Sequence, residues 1–159
     1  MEKNLKQFLI IAKQKSYAGG GEKRARILTN GQKEYLFKKG DLKYIDRYRG
    51  HEKFSGQEKV FKATKLIWTM KYSGGVLSKK ISPDDIYAFL RKALKIIPKN
   101  IPFRGPEKLV EGDYKYINKT KGALNDFSGE EKIFYKDKLI YQLNYSGGAS
   151  EKINNIAIF

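Results

Sequence analysis

One stretch of twenty-one residues occurs twice in this chain, and that duplication constrains the fold more than any other feature. Ser55–Gly75, SGQEKVFKATKLIWTMKYSGG, returns as Ser128–Gly148, SGEEKIFYKDKLIYQLNYSGG. A matched heptapeptide precedes each copy, GDLKYID at Gly40–Asp46 and GDYKYIN at Gly112–Asn118. Over SGQEKVF, LIWTMKYSGG and GDLKYID, 16 of 24 aligned residues are identical; unrelated segments would share about two. Such self-similarity marks one structural unit built twice. With 159 residues, 40% of them hydrophobic, the expectation is a single domain of two pseudo-repeats, 1–81 and 82–159, sharing a core.

Periodicity assigns the elements. Residues 4–16 place Leu5, Phe8, Leu9 and Ala12 on one helical stripe. Gly19–Gly21 should stop that helix and open a basic, glycine-rich loop. Gln32–Phe37 reads as a short strand. In Leu42–Arg49, Leu42, Tyr44, Asp46 and Tyr48 share one face, and Lys43, Ile45, Arg47 and Arg49 share the other. Lys59–Lys62 and Leu66–Tyr72 should form a hairpin around Ala63-Thr64, with Leu66, Trp68, Met70 and Tyr72 on one face and Ser73-Gly74-Gly75 ending it. Residues 82–97 form the clearest helix, with Ser82 as cap, Pro83 in its first turn and Asp84 and Asp85 at the positive end of the dipole. Residues 98–108, with three prolines, form an ordered connection or an extended arm. Strands follow at Tyr114–Lys121, Lys132–Tyr135 and Leu139–Tyr145, and residues 153–159 are apolar enough for a closing strand. The expected class is α+β: a tandem duplication of a helix-plus-antiparallel-strands unit, giving an antiparallel sheet of about eight strands with helices on one face.

Composition narrows the function classes. The chain has no cysteine, which removes disulfides and thiolate metal sites and fits a cytoplasmic setting. It has one histidine, His51, so no two-histidine site can form. No apolar run is long enough for a membrane span. Net charge is +16, distributed as +13 over residues 1–81 and +3 over 82–159, which suggests an anionic partner for the first half. Sixteen lysines against four arginines in that half fit a merely solubilising role equally well.

YAGGG at Tyr17–Gly21, GDLKYIDRYRG at Gly40–Gly50, FSGQE at Phe54–Glu58, IWTMKYSGG at Ile67–Gly75 and PFRGP at Pro102–Pro106 carry a resemblance. The chain resembles a bacterial family of uncharacterised domains often found C-terminal to helix-turn-helix (XRE-type) transcriptional regulators. The resemblance covers nearly the whole chain. It implies a sensing or partner-binding domain, here expected to stand alone because no helix-turn-helix region precedes the first helix.

Two sets of residues are candidates for binding. The first is an aromatic and polar set for an anionic, nucleotide-like small ligand: Tyr17, Arg24, Arg26, Tyr44, Asp46, Tyr48, Glu58, Trp68, Tyr72 and Arg104. Tyrosine hydroxyls and a carboxylate on one strand face resist complete burial, aromatic rings hold a planar group, and arginine forks match phosphate. The second is a basic sheet face, Lys43, Arg47, Arg49, Lys115, Lys119 and Lys121, which could follow a nucleic-acid backbone. A protein-binding inhibitor or regulatory module is a third reading. Glu58 and Glu131 hold equivalent places, and each is expected to pair with a neighbouring lysine or cap a turn rather than act as a catalytic pair. No catalytic, metal or cofactor signature is present.

Overall fold

Alternation in GDLKYIDRYRG and its copy produces strands, and the glycines between them set how those strands join. In a computed structural model, residues 2–20 and 25–150 are described. Helix α1 (Glu2–Gln14) is followed by a single helical turn, α2 (Tyr17–Gly20). Strands β1 (Arg26–Ile27), β2 (Lys33–Lys39), β3 (Leu42–Gly50), β4 (Lys53–Lys62) and β5 (Lys65–Val76) come next. Then come α3 (Pro83–Leu94), β6 (Lys108–Glu111), β7 (Tyr114–Ala123), β8 (Asp126–Tyr135) and β9 (Lys138–Ala149). Among the described residues all nine strands form one open antiparallel sheet, in the order β1-β2-β3-β4-β5-β9-β8-β7-β6. The protein is therefore α+β. The expected closing strand at 153–159 lies outside the described residues.

The two helices follow their sequence signals. Leu5, Phe8, Leu9 and Ala12 are buried on α1. On α3 the Ser82 side chain accepts from the Asp84 amide at 3.2 Å, and Ile86, Phe89, Leu90, Ala93 and Leu94 are buried. Phe8 of α1 meets Phe37 of β2 at 5.7 Å between ring centroids, and Phe89 of α3 meets Tyr114 of β7 at 5.0 Å.

The strands run further than expected, because glycines that read as breakers lie inside them. Ser73-Gly74-Gly75 does not end β5, which continues to Val76. The reason is the seam between β5 and β9. There Gly74 pairs with Leu143, Met70 with Gly147 and Thr69 with Gly148. A Cβ on Gly74 would stand 2.6 Å from the Leu143 Cα, and one on Gly147 would stand 2.8 Å from the Met70 Cα. The glycines allow two backbones to approach, which is a use of glycine inside a strand rather than after it. At the centre of the seam Tyr72 lies opposite Tyr145. Similarly, Gly19 and Gly20 belong to α2 rather than to a loop that stops α1.

A second departure concerns Leu66, expected beside Trp68. It is 38% exposed while Ile67 is buried. The register slips between Val60 and Phe61: Val60 pairs with Trp68, but Phe61 pairs with Leu66. A β-bulge therefore adds one residue to β5 and reverses the alternation at its start. The same slip recurs between Ile133 and Phe134 against β9, so Leu139 is half-buried and Ile140 is buried.

Candidate functional site

The repeated motifs build two related polar clusters. In the first half, Gly56 of β4 pairs with Tyr72 of β5. A Cβ at Gly56 would lie 2.6 Å from the Tyr72 Cζ and from the Tyr48 Cβ. Without that carbon the Tyr72 ring lies across β4, and its hydroxyl donates to Asp46 Oδ1 on β3 at 2.6 Å. Asp46 in turn pairs in register with Glu58. The second half repeats the device: Gly129 pairs with Tyr145, the Tyr145 hydroxyl donates to Asn118 Oδ1 at 2.7 Å, and Asn118 pairs with Glu131.

Different groups close the two clusters. Over the second, residues 103–105 of the PFRGP segment act as a plug. Arg104 donates through Nε and Nη2 to both Glu131 oxygens, at 3.0 and 2.7 Å. The Gly105 amide donates to the Tyr116 hydroxyl at 3.0 Å, and the Asn118 amide donates to the Gly105 carbonyl at 3.0 Å. Glu131 also accepts from Tyr116 at 2.5 Å and Tyr141 at 2.8 Å, and is fully buried. Over the first cluster, α1 delivers Lys13, whose Nζ donates to Glu58 at 2.6 Å and to the Phe103 carbonyl at 2.7 Å. A cavity of about 70 Å³ remains beside it. Its walls include Lys13, Tyr17, Tyr44, Asp46, Tyr48, Phe54, Glu58, Tyr72, Tyr87, Phe103 and Arg104, and the exposed Gly50 and His51 lie at its rim.

Electrostatics follow from that burial. Desolvation and the neighbouring Glu58 carboxylate push Asp46 up to about 7, against the pull of the Tyr72 hydrogen bond and of Lys13 and Arg104. Burial lowers Lys13, and Glu58 only partly offsets this. Burial works against the Arg104 charge, but Glu131, Tyr141 and Tyr116 together outweigh that and hold the charge more firmly than in water. Burial, then the nearby carboxylates, raise Tyr44 and Tyr72 well above the ordinary phenol range.

Asp46 therefore makes stability depend on pH, and the sign is fixed. A folded-state value of about 7 against an ordinary 3.8 means that, between those values, the folded chain keeps a proton the unfolded chain has released. The stabilisation is fully present below about pH 4 and is lost as pH rises through about 7. Asp46→Asn copies the second half's Asn118 and cannot titrate. Urea unfolding of both proteins from about pH 4.5 to 8 should show the wild type losing stability relative to the variant up to about pH 7, then a constant difference. A difference independent of pH would remove this account of Asp46.

Seven of the ten residues expected to bind a small ligand line this one cavity: Tyr17, Tyr44, Asp46, Tyr48, Glu58, Tyr72 and Arg104. Trp68 does not. It is fully buried and stacks on Phe127 at 5.8 Å and Phe103 at 6.4 Å. Arg26 lies on edge strand β1, bonded to Glu34 at 2.9 Å and away from the cavity. Arg24 is outside the described residues. Lys13, Phe54, Tyr87 and Phe103 are walls that the sequence reading did not include. Lys13 was traceable, since it follows Leu9 by one helical turn at the border of the apolar stripe. Phe103 was not, because the connection holding it has no period. The second candidate set divides too. Arg47, Arg49, Lys119 and Lys121 line a groove on the other sheet face. Lys43 and Lys115 instead cover the rings of Phe61 and Phe134, at 4.9 and 5.1 Å.

Fold and site together define an α+β protein with an open antiparallel sheet and a polar, aromatic-walled cavity. The chain belongs to a family described as a domain of unknown function (DUF5680), whose model matches residues 46–150. No curated protein and no solved structure matches it. Among the described residues no helix is long and apolar enough to cross a membrane.

Proposed function

We propose that this chain is a non-enzymatic binding domain that senses a small, planar, nucleotide-like ligand whose ring occupies the cavity over the first half. The architecture behind the reading is a tandem duplication with its helices on one face of the sheet, in which one half-site is plugged and the other is kept open. A single observation carries it: residues 103–105 close the Tyr116–Asn118–Glu131 cluster, while the matching Tyr44–Asp46–Glu58 cluster borders a cavity. Aromatic-walled pockets with a few convergent polar groups and shifted pKa values are the usual form of a ligand site; at about 70 Å³ this one must widen to admit the ring. Carboxylates accept from exocyclic amino groups and ring N–H donors. The positive charges in the wall, Lys13 and Arg104, are each bonded to a glutamate, so the ring rather than an anionic tail carries the fit. A sensing role agrees with the resemblance to domains borne by XRE-type regulators.

The test is a thermal-shift panel of nucleobases, nucleosides and nucleotides, together with native mass spectrometry of the protein purified from cells. Ligand at a hundredfold its Kd should stabilise the fold by about 2.7 kcal/mol. Glu58→Gln should weaken that shift. A panel without any shift, with no retained molecule in the mass spectrum, would overturn the reading.

A further inference from the structure

We infer that the sheet face opposite the tyrosines is a docking surface for double-stranded nucleic acid, held through its phosphate backbone. A groove of about 1170 Å³ on that face is lined by Arg47 and Arg49 of β3, Lys59 of β4, Lys71 of β5, and Lys119 and Lys121 of β7. One carboxylate, Glu130, shares the lining, and it is already bonded to Gln142 at 2.9 Å and paired with Lys132 at 2.8 Å. Arg49, Lys71, Lys119 and Lys121 are exposed and carry no ion pair among the described residues. Arg47 is bonded to Glu34 at 2.6 Å. Folding thus gathers cations from both halves into one concavity and leaves those four without an ion pair among the described residues. Such a surface attracts polyanions and releases their counterions.

Geometry selects a duplex over a single strand. Arg47 and Lys119, and likewise Arg49 and Lys121, hold matching places in GDLKYIDRYRG and GDYKYINKTKG. They lie on β3 and β7, five strand spacings apart across the β5–β9 seam, or about 24 Å along a flat sheet. Two cationic ridges at that separation can flank a duplex and meet a phosphate strand on each side. Single-strand binders need aromatic platforms on which bases stack. Here Tyr72 and Tyr145 are 7% and 3% exposed, and Phe61 lies under the Lys43 ammonium. The face offers charge and hydrogen-bond donors rather than stacking surfaces, which is the chemistry of sequence-independent backbone contact.

The experiment is fluorescence anisotropy with mixed-sequence 20-base-pair DNA and RNA duplexes and the matching single strands, from about 50 to 200 mM salt. A wild-type log–log salt slope near −5 is expected if six cations engage. The variant R49A/K71A/K119A/K121A should lose about tenfold or more in affinity at the lowest salt and about three to four units of slope. A control with equal charge removed from outside the groove, K3A/K80A/K95A/K99A, should keep a slope within about one unit of wild type. Because all eight residues are exposed, thermal melts of both variants should match wild type and exclude unfolding as a cause. Binding of either duplex with that contrast supports the proposal. No binding at the lowest salt, equal losses in both variants, or single strands bound at least as tightly as duplex would overturn it.

Discussion

Replacing Arg104 by leucine will lower the unfolding free energy by about 3–5 kcal/mol, among the largest effects expected from one substitution here. The cause is the partner left behind. Glu131 is fully buried, and among the described residues Arg104 supplies the only positive charge bonded to it. Without the guanidinium, the Tyr116 and Tyr141 hydroxyls are the partners that remain, among the described residues, to hold a desolvated carboxylate. The double variant R104L/E131L removes both charges, so it should cost less than the sum of the two singles, and the cycle would report the coupling. Equilibrium urea unfolding gives all three values. A loss for R104L no greater than that for an exposed control such as Lys99→Ala would show that the pair does not hold the plug in place. The pair also positions Phe103, which stacks on Phe127 at 3.7 Å and borders the open cavity. A loosened plug should therefore also weaken any ligand the cavity holds.

Trp68→Ala should cost a comparable amount, about 3–5 kcal/mol, through a different mechanism. The indole is fully buried and stacks on Phe103 and Phe127, with the Lys13 ammonium 5.7 Å from its ring centroid. Truncation would leave a void between β5 and the plug. Trp68→Phe should cost much less, because the Nε1 proton has no hydrogen-bond partner among the described residues, so only packing volume is lost. Chemical denaturation of the two variants separates the contributions. Equal losses for both would mean that the N–H makes a bond the packing does not account for, and a loss below about 1 kcal/mol for Trp68→Ala would contradict the core role. Since Trp68 is not part of the cavity wall, both variants provide a measure of stability against which cavity variants can be compared.

The sequence by itself determined the repetition and the inward face of β3, of β7, and of β5 and β9 beyond their bulges. Alternation in GDLKYID put Tyr44 and Asp46 on one side and Lys43 and Arg47 on the other, because side chains on a strand alternate with period two. Helical spacing identified the buried stripes of α1 and α3, and the Ser82-Pro83 signal marked where α3 begins. Those periods are local, so they can be read without the fold. What the glycines do was decided only by tertiary structure. Gly74 and Gly147 lie in the β5–β9 seam, and Gly56 and Gly129 give room to tyrosines crossing from the next strand. No local rule distinguishes these uses from a strand end. The bulges at Ile67 and Ile140 were likewise invisible, since a register slip is a property of a pair of strands. Whether a cluster is plugged or open also depended on tertiary structure. Phe103 and Arg104 reach Trp68 and Glu131 from segments far along the chain, and only the packed connection shows that one half-site holds its own chain while the other borders a cavity.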